Sequence, residues 1–152
     1  MRLTQSVSRN VGFNLLVFLL VLLASFGLGA GKKKKHVVVS DELLNAIWMT
    51  ESSGQVDPPD GDNGKSIGPL QLQLAYFTDA KEFDKTIDFS YEDCRTCYEK
   101  SKRVVRAYMA RYAPDNATDE QIARLHNAGP RALTKERIRL TDEYWAKVKE
   151  HL

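Results

Sequence analysis

Cysteine is scarce: Cys94 and Cys97 are the only two in a chain of 152 residues. A framework of disulfides is therefore not what holds this fold, and a domain of this size can bury enough core without one. A single CxxC with no second pair and no histidine nearby in sequence is weak evidence for zinc. The pair reads first as buried thiols, second as a local disulfide, and third as a redox or metal centre. No metal and no organic cofactor are expected. Positive charge is also scarce where a domain would fold. Of the 22 Lys and Arg, six precede residue 36, whereas all 20 Asp and Glu follow it, so residues 36–152 carry 16 basic against 20 acidic side chains. That net −4 speaks against nucleic-acid binding and against a cationic membrane-disrupting peptide. No internal repeat or low-complexity tract follows the leader.

The leader is distinct. Arg2 and Arg9 are followed by a long apolar stretch from Val11 to Gly31, the layout of a secretory signal over residues 1–31. Gly27, Gly29, Ala30 and Gly31 are small, but Leu28 spoils the cleavage pattern three places before Gly31. Lys32–Lys35 come next and can hold such a segment as an uncleaved anchor. The expectation is a secreted domain, with anchoring through residues 11–31 as the alternative. Residues 32–39 then form a basic linker and 40–152 the single functional domain, expected to be monomeric. It would touch a membrane only through the N-terminal segment, if that is retained.

Ser40 is a good N-cap for a helix opening with Asp41 and Glu42. Leu43, Leu44, Ile47 and Trp48 form its apolar stripe, Glu51 falls on the same side, and Gly54 supplies a stop. A carboxylate on an apolar face is costly unless it has a use. From Val56 to Ile67 turn formers dominate, with Asn63-Gly64 as a type I′ hairpin signal. Pro69 suits the first turn of a following helix, although Leu70, Leu72 and Leu74 alternate and fit a strand equally well. Lys81 to Asp88 reads as a loop. Ser90 then caps a helix running to Tyr112, whose stripe includes Cys94, Cys97, Tyr98, Ser101, Val104, Val105, Tyr108 and Tyr112. Pro114 ends it. Thr118 with Gln121 makes a capping box for a helix that stops at Ala128-Gly129-Pro130. A last helix starts near Thr141 and carries Tyr144, Trp145 and Val148. The fold class is α+β, mainly α-helical, with a small hairpin or loop insert beside a cleft.

One carboxyl at an apolar helix end and another in a polar turn is the arrangement that glycosidic bond cleavage needs. One group must be protonated to release the leaving oxygen, and the other must be ionised to attack or stabilise the anomeric carbon. An apolar wall raises the first pKa and a hydrated loop leaves the second low. Glu51 is then the acid and Asp62 the second carboxylate, with Asp57 and Asp60 as close competitors for that place.

These residues resemble a family. Glu51-Ser52-Ser53-Gly54, Asp62-Asn63-Gly64 and Gly68-Pro69-Leu70-Gln71-Leu72 are similar to the catalytic region of invertebrate-type (i-type, destabilase-like) lysozymes. Tyr76 and Asp79 match that family's Tyr-Trp-x-Asp-Cys, with Phe77 and Ala80 as departures. Ala107–Tyr112 matches Ala-Tyr-Met-x-Arg-Tyr, and Ala123–Pro130 matches Ala-Arg-x-His-Asn-Gly-Gly-Pro. The resemblance covers about residues 42 to 148. It implies a lysozyme-like fold, secretion, and cleavage of the β-1,4 link between N-acetylmuramic acid and N-acetylglucosamine in peptidoglycan. It also implies Glu51 and Asp62 as catalytic groups, with Gln71, Tyr76, His126, Asn127 and Gly129 shaping the saccharide groove. By itself, His126 reads as a satisfied histidine at a helix end. The family is rich in disulfides and this chain has few of those cysteines; Ile67 stands where a Cys usually precedes the Gly. The chain thus resembles a divergent, disulfide-poor branch. Some relatives are credited with an isopeptidase that uses Ser and His, but no activated Ser is identified here. The alternatives are a lytic transglycosylase using Glu51 alone and a non-catalytic glycan-binding module on the same scaffold.

Overall fold

The computed structural model describes residues 36–152; the leader and the first part of the basic linker lie outside the described residues. Helix α1 (Asp41–Ser52) opens as its sequence requires, with Ser40 Oγ accepting the Leu43 N–H at 3.1 Å and two acidic residues in the first turn. Leu43, Leu44, Ala46 and Ile47 are buried. The expected stop at Gly54 comes one residue early. Ser53 already adopts the left-handed conformation (φ 52°), its N–H bonding Met49 O, and Gly54 continues it at φ 75°. Glu51 and Ser52 therefore stay in the last helical turn, and Ser52 Oγ donates to Pro69 O at 2.9 Å.

A small sheet follows. Strands β1 (Ser66–Ile67) and β2 (Leu72–Gln73) pair antiparallel, with Ser66 opposite Gln73 and Ile67 opposite Leu72. Asn63 and Gly64 do have positive φ, as the hairpin signal predicts, but Asp62 shares it, and the bridge behind them joins Gly61 to Ser66. The result is a four-residue loop, 62–65, rather than a two-residue type I′ turn. Pro69 does not open a helix; it lies in the connection from β1 to β2. Gly68 in that connection has φ 71°, and a Cβ there would fall 2.2 Å from the Cys94 carbonyl, so only glycine fits.

Helix α2 (Leu74–Phe83) occupies residues that the sequence left open or read as loop, burying Phe77 and Ala80 against α3. The predicted long helix from Ser90 is also divided. Ser90 and Asp93 bond reciprocally around a 3-10 turn (Glu92–Cys94), and α3 (Tyr98–Tyr112) starts only after a break. Cys94 and Cys97 therefore do not share a helix face: Cys94 is buried, Cys97 half-buried, and both are free thiols. Helix α4 (Asp119–Ala128) carries the expected capping box. A 3-10 turn (Ile138–Thr141) leads into α5 (Asp142–Lys149). Buried Arg124 ties α4 to this end of the chain through Ile138 O, Thr141 Oγ1 and Asp142. Of the linker residues 36–39, Val39 is buried and the His36 backbone bonds Asp115 and Asn116, whereas Val38 is exposed. The architecture is α+β and mainly α-helical, as expected. Among the described residues, no helix is long and apolar enough to cross a membrane.

Candidate active site

A cleft of about 500 Å³ runs between the end of α1, the hairpin and the C-terminal end of α4. All seven residues nominated from the sequence line it: Glu51, Asp62, Gln71, Tyr76, His126, Asn127 and Gly129. Their surroundings differ sharply.

Glu51 projects from the last turn of α1 with 20% of its side chain exposed. Tyr144 O–H donates to its Oε1 at 2.7 Å, and His126 Nε2 lies 3.6 Å from the same oxygen. Burial pushes the Glu51 pKa up to about 7; the Tyr144 bond opposes that rise and the Asp62 charge adds to it. Asp62 stands in the opposite regime. It sits on the exposed loop 62–65, and its Oδ2 accepts Ser66 Oγ at 2.7 Å and Gln73 Nε2 at 3.1 Å. Those two bonds, with the Lys65 charge, hold its carboxyl below the usual aspartate value. Of its competitors, Asp60 is held in an ion pair with Arg95, and neither it nor Asp57 lines the cleft.

His126 is buried at the end of α4, and desolvation pulls its pKa down to about 4. Its Nε2 lies 3.2 Å from Leu70 O, an oxygen that can only accept, so Nε2 carries the proton. Nδ1 is then left to accept the Tyr76 hydroxyl at 3.3 Å. The Tyr76 ring stacks on Tyr108 with centroids 3.6 Å apart. Tyr76 and His126 thus form a neutral wall. Asn127 is exposed at the rim, and Gly129 ends α4 at φ 75° with its N–H on Leu125 O. Gln71, at φ 45°, donates its side-chain amide to Gly68 O at 3.0 Å and Pro59 O at 3.4 Å, bracing the hairpin connection as it lines the cleft. The serines nearest the site are engaged: Ser52 on the carbonyls of Trp48, Gln55 and Pro69, and Ser66 on Asp62.

Three supporting residues carry no sign of their role in the sequence. Tyr144 reads as one more apolar position in the last helix, and nothing in its neighbourhood points 93 residues back to Glu51. Ser66 and Gln73 face each other across β1 and β2; a known register would have placed both beside Asp62. Among the described residues, no group of His, Cys, Asp and Glu is placed to hold a metal ion.

The family model described as Destabilase matches residues 40–151. This chain belongs to the destabilase family. It is also similar to lysozymes of oysters. It is 34% identical over 116 residues to a lysozyme of Ostrea edulis, an alignment covering 73% of this chain and 80% of the relative. It is 31% identical over 115 residues to Lysozyme 1 of Crassostrea virginica, covering 73% of this chain and 59% of that one. Among solved structures it is similar to a chain in the crystal structure of Aeromonas hydrophila PliI in complex with Meretrix lusoria lysozyme. That likeness has a TM-score of 0.61 and 30% identity, and covers 74% of this chain and 89% of the other. The destabilase-family chain therefore has the lysozyme-like α+β fold expected from its motifs.

Proposed function

We propose that this destabilase-family protein is a muramidase that cleaves the β-1,4 bond between N-acetylmuramic acid and N-acetylglucosamine in peptidoglycan. One observation carries the reading: two carboxyls on a single cleft are tuned in opposite directions, Glu51 up to about 7 and Asp62 downward. Near neutral pH a substantial fraction of Glu51 holds a proton while Asp62 is ionised. Glu51 gives that proton to the leaving glycosidic oxygen, and Asp62 stabilises or attacks the anomeric carbon as positive charge develops there. The Glu51 carboxylate then draws a proton from the incoming water. Lysozyme is itself the type case for this division of labour. Tyr76, His126, Asn127 and Gly129 form the wall on which the sugar rings rest, and Gln71 holds the loop opposite.

The protein acts outside the cell in this reading, with residues 1–31 as the secretion signal. The decisive experiment incubates the protein with purified peptidoglycan and identifies the products by mass spectrometry, with Glu51→Gln and Asp62→Asn alongside. Reducing-end muropeptides that vanish in both variants support the two-carboxylate muramidase. Anhydro-muropeptides lost only in Glu51→Gln would identify a lytic transglycosylase. No product from any form, with saccharide still bound, would leave a binding module.

A further inference from the structure

The surroundings of Glu51 distinguish its two carboxyl oxygens. Oε1 accepts the Tyr144 hydroxyl at 2.7 Å, while His126 Nε2, whose N–H is directed to Leu70 O, stands 3.6 Å from it. Oε2 receives no hydrogen bond from any described residue. A proton on Oε1 would compete with the Tyr144 proton already directed at that oxygen. It would also weaken the one acceptor that the Tyr144 phenol proton has among the described residues, because a protonated carboxyl oxygen accepts less well than an ionised one. A proton on Oε2 meets neither obstacle. Tyr144 is itself firmly held. Val148, one turn further along α5, is fully buried, and α5 packs on both α1 and α4.

We propose that Tyr144 is a positioning residue for this site: by donating to Oε1 it fixes the orientation of Glu51 and leaves Oε2 to carry the transferable proton. Its effect on turnover rests on the muramidase reading; its effect on the carboxyl does not. The docking of α5 thereby reaches the reacting group from the far end of the chain.

Tyr144→Phe keeps the ring and removes the donor. Donation to a carboxylate favours its charged form, so the Glu51 titration midpoint, about 7 in the intact site, should move up when the donor is lost. Two readouts are needed on the purified protein: a carbon-13 NMR titration of the Glu51 carboxyl, and the pH dependence of peptidoglycan turnover. The midpoint and the alkaline limb should rise together. At about pH 5, where the acid is protonated in both forms, kcat should fall about ten- to a hundredfold through lost orientation, with KM little changed. Trp145→Phe trims the neighbouring ring of the same helix and should leave the midpoint in place. Should Tyr144→Phe not fold, Tyr144→Leu removes the donor too and is read the same way. An unmoved midpoint in a folded variant overturns the proposal, and so does an equal movement in Trp145→Phe. If the wild-type protein turns over no peptidoglycan, the muramidase reading falls alone, and the NMR midpoint still decides the role of Tyr144.

Discussion

Glu51 stands at the end of a helix packed into the core, whereas Asp62 stands on an exposed loop behind a two-stranded hairpin. The first is surrounded by Tyr144, His126 and the neighbouring wall of Tyr76; the second is met by a serine hydroxyl, a glutamine amide and open solvent. Two side chains of nearly identical chemistry thus end with opposite protonation habits. Burial penalises the charged form and drives Glu51 up, while donors aimed at the charged form drive Asp62 down. The helix end provides exclusion of water and the loop provides hydrogen bonds. A site that needs one acid and one base can be made from two carboxyls only when the fold supplies both kinds of support.

The largest expected effect comes from removing the buried member. Glu51→Gln should fold normally and lose about 10³–10⁴-fold in peptidoglycan turnover, because the proton for the leaving oxygen is gone. Asp62→Asn should lose about 10²–10³-fold, as its charge acts on the transition state without carrying the proton. Equal losses, or a larger loss at Asp62, would break the assignment of roles.

The contrast should also appear without substrate. A buried acid whose pKa is raised from 4.5 to about 7 stabilises the fold fully below pH 4.5 and loses that contribution as pH rises through 7. Glu51→Gln escapes the loss. Its stability advantage over the wild type should therefore grow by about 3 kcal/mol between pH 4 and pH 8, read from urea midpoints. His126 has the opposite slope. Its pKa falls from 6.5 to about 4, so its contribution is complete above pH 6.5 and fades as the pH drops toward 4. In the wild type the two slopes oppose each other between pH 4.5 and 6.5. In Glu51→Gln the His126 slope stands alone, and that variant should lose stability on acidification through this window.

The pH profile of kcat/KM sharpens the comparison further. Its alkaline limb should fall near pH 7, where Glu51 loses its proton, and its acid limb below 3.8, where Asp62 gains one. The smallest effect belongs to Ser66→Ala. Losing the hydroxyl removes the first support of the Asp62 charge, so the acid limb should move upward while the alkaline limb stays. Turnover near pH 6 should drop less than about tenfold, the size of one hydrogen bond.

Local chemistry made much of the scaffold legible. The cap at Ser40, the capping box at Thr118 and Gln121, and the stop at Gly129-Pro130 each depend on residues within one turn of the helix end, and each is observed. Glu51 could be singled out because an acidic residue on an apolar stripe violates the ordinary pattern. The hairpin could not be placed, since strands of two residues are too short to show alternation. Pro69 has a fixed φ that serves a turn as well as a helix start, and the choice between them came from the hairpin. Helix α2 was not legible because its buried face is small, Phe77 and Ala80, and its partners, α3 with Phe89 and Tyr91, come from later in the chain. The break before Tyr98 likewise interrupts an unbroken apolar stripe, with the close contact between Gly68 and the Cys94 carbonyl on its near side.

The sequence by itself determined which residues could do chemistry: an acid at a helix end, an aspartate in a turn, and a histidine before a glycine-proline stop. Only the tertiary structure decided what state each would be in. Protonation depends on which groups stand within a few ångströms, and those groups come from positions such as Tyr144 and Leu70, far away along the chain. Helix caps and apolar stripes are local and can be read in order. The pKa of Glu51 is a property of the folded cleft, because water is excluded and donors converge there only once α1, α4, α5 and the hairpin have packed.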